Sequence, residues 1–174
     1  MDSENNMIVV DVETTGTNPT KHSILSIGAV DFEGGREFYE ECRIIPDREI
    51  DDVALSINGF TREQCTDPSK QTAEEAYKKF LWWATGSRLM MLAGQQVGSF
   101  DIKFLQVIHE LCGLGKWPFG HRSLDLHSVA YAHFRKSLSL DEILVALNIE
   151  PEPKPHNALT GARKEAGAFR KLLV

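Results

Sequence analysis

The chain has 174 residues, a formal net charge of −6, three cysteines and no apolar run of about 18 or more residues. That length fits one domain spanning residues 1–174 with a core of its own. The polar start Met1-Asp2-Ser3-Glu4-Asn5-Asn6 and the scattered Cys42, Cys65 and Cys112 predict a cytoplasmic protein with no membrane contact, disulfide framework or zinc cluster. The acidic balance excludes a protein that coats long nucleic acid through a basic face, but not an enzyme that grips one end through bound cations.

Ile8-Val9-Val10-Asp11-Val12-Glu13 is a β-branched run that breaks at Thr14-Thr15-Gly16, which predicts a buried strand ending in an acidic site. After a polar loop, Ile24 to Phe32 reads as a second strand, Glu33-Gly34-Gly35-Arg36 as a hairpin turn and Glu37 to Ile45 as the third strand of a meander. Asp51-Asp52 ahead of Val53, Leu55 and Ile57 predicts a short helix ended near Asn58-Gly59, with a second turn from Thr61. Thr72-Ala73-Glu74-Glu75 is a capping-box pattern that opens a helix ending at Trp82 and Trp83, read as core or groove wall.

Arg88 to Gly94 reads as a further buried strand, followed by helices over Phe100–Leu111, Leu124–Phe134 and Leu138–Leu147. Pro151, Pro153 and Pro155 mark a stiff loop, and apolar positions from Ala158 to Leu173 recur at helical intervals in the closing helix. Periodicity alone therefore gives an α/β protein.

Strand side chains alternate between faces, so Asp11 and Glu13 project the same way, and two like charges that close call for a cation. The Thr14-Thr15-Gly16 step adds hydroxyls and a backbone able to approach an anion such as phosphate. Asp101 arrives from elsewhere, at the start of a helix after a strand and a glycine-bearing loop. His156 stands at the mouth of the last helix; imidazole exchanges protons near neutral pH, as a general base beside a metal requires. The other histidines match no such pattern.

The strings V-D-V-E-T-T-G at 10–16, F-D at 100–101 and H-N-A-L at 156–159 resemble, in order, the three motifs of the DEDDh-type 3′-to-5′ exonucleases. The resemblance implies a ribonuclease H-like mixed sheet of about five strands, the first three antiparallel, flanked by helices. It implies a two-metal site in which Asp11, Glu13 and Asp101 bind Mg²⁺ or Mn²⁺, His156 and Glu13 serve catalysis, and Thr14, Thr15, Gly16 and Phe104 meet the terminal nucleotide. The substrate would be the 3′ end of single-stranded DNA or RNA, released as nucleoside 5′-monophosphates, with a polymerase or other protein as a possible partner.

The pattern departs in two places: Gln95-Gln96 stands where the family commonly shows a polar pair containing His or Asn, and the other departure touches the metal site itself. Five residues after the motif histidine the family has a fourth metal-binding aspartate, and here that residue is Gly161. Glu165, one helical turn on and about 6 Å along the axis, is the substitute ligand on the same face. Two readings stay open: a weakened exonuclease lacking one ligand, or a degenerate fold that binds a nucleic-acid end or a partner protein without cutting. Gly161→Asp is expected to raise turnover at least about tenfold in the first and to do nothing in the second.

Overall fold

The computed structural model describes residues 7–85 and 91–173. Its strands are β1 (Met7–Thr14), β2 (Ile24–Asp31), β3 (Glu37–Glu41), β4 (Met91–Gly94) and β5 (Ser123–Asp125). They form one sheet in the order β3-β2-β1-β4-β5. The meander β1-β2-β3 is antiparallel, whereas β4 and β5 join parallel to β1 and to each other. The helices are α1 (Asp52–Asn58), α2 (Arg62–Thr66), α3 (Ala73–Ala84), α4 (Asp101–Leu111), α5 (Leu126–Phe134), α6 (Leu140–Ala146) and α7 (Ala158–Leu172).

Strand β1 lies at the centre because it is apolar on both faces. Ile8, Val10 and Val12 face one layer with Tyr77 and Phe80 of α3 and Phe104, Leu105 and Ile108 of α4. Met7 and Val9 face the other, with Leu126, Leu144, Ala162, Ala166 and Phe169 from α5, α6 and α7. By that alternation Asp11 shares the α7 side with Met7 and Val9. The first turn of α7 lies directly on β2, since a Cβ at Gly28 would overlap the Ala158 backbone. This close approach fixes the helix that carries Gly161 and Glu165.

Local signals set most boundaries. Capping boxes form at Thr61/Gln64, Thr72/Glu75 and Ser139/Glu142, and α1 ends at Gly59 in the left-handed conformation, where glycine carries no steric penalty. Three expectations change, and a fourth lies partly outside the described residues. Residues 123–125 form β5, so the helix expected from Leu124 begins at Leu126 behind the cap of Asp125. The third strand stops at Glu41 instead of Ile45, because Ile44 N–H turns away to donate to the Cys65 carbonyl. Trp82 is 86% exposed, and only Trp83 packs on the core. Of the strand expected over 88–94, residues 88–90 lie outside the described residues, as does the polar start at 1–6.

Candidate active site

Asp11, Glu13 and Asp101 line one cavity of about 340 Å³ at the C-terminal end of β1, with His156 at its edge. The parallel pairing of β1 with β4 brings the two strand ends together, and the loop after β4 leads into α4. The first residue of α4, Asp101, is 3% exposed and accepts a hydrogen bond from the Val12 backbone N–H at 3.0 Å. It is not a helix cap: the cap residue is Phe100, with no side-chain hydrogen bond.

Three further acids line the same cavity: Asp51, the N-cap of α1, and the two buried carboxyls Glu165 and Glu152. Glu165 from α7 is 3% exposed, lies near the Gln95 backbone amide, which favours its charged form, and leaves Oε2 without a hydrogen-bond partner. Glu152, on the proline loop, accepts from the Asn157 N–H at 3.0 Å through Oε1 and faces His156 Nδ1 at 3.6 Å through Oε2. Ligand atoms of Glu13, Glu152 and His156 lie within 4.8 Å of one another. The acids thus fall into an Asp11, Asp101 and Glu165 end and a Glu13, Glu152 and His156 end.

Burial among like charges holds these carboxyls toward their protonated forms. Desolvation and the Glu152 charge push Glu13 up to about 7, against a smaller opposing hydrogen bond from Asn58. Desolvation pushes Asp101 up to about 8, and raises Asp11 well above the ordinary range with the charges of Glu165 and Asp101 adding to it. Glu165 is raised for the same reason, burial first and Asp101 second. No Lys or Arg lines the cavity among the described residues. Clustered oxygen donors, one unpartnered, with no protein cation to balance them, fit a hard divalent ion.

The expected substrate contacts divide. Thr14 and Gly16 line the cavity, and Thr14 Oγ1 donates to the Gly16 carbonyl at 2.8 Å. Thr15 does not reach it: the side chain is fully buried, donating to the Glu49 carbonyl at 2.7 Å and accepting from Ser23 N–H at 3.0 Å. Phe104 is also displaced from that role, being 2% exposed within the α3/α4 layer, while Phe100, 5.1 Å away centroid to centroid, takes the wall of the cavity. One helical turn separates the two rings, and the turn nearer the strand end faces the site.

Gly161 lies on the inner face of α7, and a Cβ there would overlap Asp11 Oδ2. Sequence reasoning missed Glu152, Asn58 and Phe100. The spacing of Glu152 four positions before His156 was the available signal, but across a proline loop it carries no helical meaning.

Comparisons with known proteins agree with this geometry. The RNase_T family model, described as Exonuclease, matches residues 8–169. The chain is 31% identical to the 3′-5′ DNA exonuclease Cap18 of Escherichia coli, covering 94% of this chain and 89% of that protein. It is 31% identical to the PolC-type DNA polymerase III of Thermotoga maritima over 95% of this chain, yet spans only 12% of that relative's length. Among solved structures, the nuclease domain of 3′hExo, a DEDDh family member bound to rAMP, superposes with a TM-score of 0.76 at 19% identity, covering 99% of this chain and 94% of that one.

Proposed function

Because the chain belongs to the DEDDh-type 3′-to-5′ exonuclease family, we propose that it hydrolyses nucleic acid from the 3′ end and releases nucleoside 5′-monophosphates. The observation that carries this reading is the meeting of Asp11, Glu13 and Asp101 in one cavity, from positions up to 90 residues apart, with His156 at its edge. In this reading residues 1–174 act as one catalytic unit.

Asp11, Glu13 and Asp101 would hold Mg²⁺ or Mn²⁺. When bound, such ions lower the pKa of water and offset charge on the leaving oxygen. His156 presents Nδ1 to Glu152, which leaves Nε2 to take the proton from the attacking water. Thr14 and the Gly16 backbone meet the terminal nucleotide, and Phe100 offers its base an aromatic wall. A cytoplasmic site of action is part of this reading, supported by the free Cys42, Cys65 and Cys112, which suit a reducing compartment, and no helix among the described residues is long and apolar enough to cross a membrane. A polymerase partner is proposed from the relatives named for DNA polymerase III. The Cap18 relative, by name, acts on DNA, and single-stranded DNA is the first substrate to test.

A second reading is favoured by Gly161: the cavity holds a nucleic-acid end or a partner without cutting. Release of nucleoside 5′-monophosphates from single-stranded DNA and RNA, with Mg²⁺ and then Mn²⁺, separates the two. Monophosphates formed by the wild type and absent with Asp11→Asn support hydrolysis; an oligonucleotide bound and returned intact supports the second.

A further inference from the structure

We propose that Glu165 supplies the carboxylate that the family motif places five residues after its histidine, and that Gly161 is the companion residue whose missing side chain leaves room for Asp11. The inference rests on the exonuclease reading above and adds a residue to it.

Glu165 is buried at a place where burial of a carboxylate without a cation is costly, and leaving one oxygen unpaired adds to that cost. Oε2 is buried and lacks a hydrogen-bond partner, and the nearby Gln95 backbone amide favours the charged form of the carboxylate. Strand β4 makes space for it. A Cβ on Gly94 would lie 3.0 Å from Glu165 Oε2 and 2.8 Å from the Val10 carbonyl oxygen, so any larger residue there would press on both. A buried side chain packed against the Gly94 backbone, with one oxygen unpartnered at a cavity lined by Asp11 and Asp101, has the geometry of a ligand awaiting an ion.

The helix explains how the carboxylate reaches the site. Residues 161 and 165 share a face of α7, and helical side chains lean toward the N-terminus, so Glu165 leans back over the turn that contains Gly161. The extra methylene of Glu over Asp extends that reach. At Gly161 itself the space is taken, because a Cβ would overlap the Asp11 carboxylate. The two positions are therefore alternative sources of one ligand. This revises the expectation for Gly161→Asp, which crowds Asp11 and adds a fifth acid to the Asp11, Glu13, Asp101 and Glu165 group instead of filling a gap.

Mn²⁺ binding measured by calorimetry and by electron paramagnetic resonance on the full chain tests this without relying on turnover. Glu165→Gln keeps the side-chain shape and removes a buried charge, so the protein should fold. It is expected to weaken Mn²⁺ binding at least tenfold or to lose one bound ion per chain. Gly161→Asp should bind no better than wild type, because its Cβ crowds the Asp11 carboxylate. Glu165→Gln binding Mn²⁺ within twofold of wild type would overturn the assignment while leaving the exonuclease reading intact, provided Asp11→Asn still abolishes binding. A wild type that binds no Mn²⁺ would overturn both.

Discussion

The Asp101 carboxylate accepts a hydrogen bond from the backbone N–H of Val12 at 3.0 Å, across 89 positions of sequence. Val12 lies between Asp11 and Glu13, so this one bond ties the third acid to the strand that carries the first two. It also makes Asp101 a structural acceptor as well as a proposed ligand.

The two roles separate by substitution. Asp101→Asn retains an oxygen that can accept from Val12 and should keep the thermal midpoint of the metal-free protein near that of the wild type, because the neutral amide matches the protonated carboxyl in shape and charge, while hydrolysis falls at least about a hundredfold. Asp101→Ala leaves a buried N–H without a partner, which costs about 1–3 kcal/mol, and should melt below Asp101→Asn. Equal midpoints for the two variants would show that the bond to Val12 contributes nothing to stability.

The raised carboxyls make a pH prediction for the metal-free protein. Glu13 at about 7 and Asp101 at about 8 keep their protons in the fold, whereas an unfolded chain releases them near about 4. Between these values the folded state binds more protons, so stability falls as pH rises. The contribution is complete below about pH 4 and is lost as pH climbs through the folded values. In a chelator the midpoint should therefore drop from about pH 5.5 to about pH 8.5, and Glu13→Gln with Asp101→Asn should flatten that slope. A divalent ion should restore the midpoint most at the alkaline end, by mass action on the folded state. A slope unchanged in the double variant would show that other groups set it.

Much of this was legible in the sequence. The D-x-E spacing on a β-branched run fixed the face shared by Asp11 and Glu13, and the capping box at Thr72 formed as read. What stayed hidden depended on three-dimensional approach. Strand β5 is three residues long and too short to show a period. Phe100 and Phe104 are both aromatic and one turn apart, so only the packing of α4 decides which meets the cavity. Glu152 reaches His156 through the path of a proline loop, which no periodicity encodes. Gly161 read as a gap, and only the position of the Asp11 carboxylate beside it shows what fills the space.

Glu152 should act through His156. Its Oε1 accepts from Asn157 N–H, which holds the carboxylate in place, and its Oε2 faces Nδ1 of the imidazole. Glu152→Gln can keep the first interaction through its carbonyl oxygen but loses the anionic partner for His156. Loss of such an orienting group typically costs about 10–100-fold. The expected change is a fall of about tenfold or more in kcat, with KM for the oligonucleotide within about twofold and the fold unaltered. A rise in KM at constant kcat would instead place Glu152 in substrate binding.

The most direct measurement follows a 5′-labelled single-stranded oligonucleotide, with either a free or a blocked 3′ end, through a time course with Mn²⁺, Mg²⁺ or chelator. The expected result is a ladder shortening one nucleotide at a time from the free 3′ end, dependent on the ion, slowed by the block and absent with Asp11→Asn. An oligonucleotide that stays full length under every condition, or cleavage that Asp11→Asn leaves untouched, would contradict an exonuclease centred on Asp11, Glu13 and Asp101.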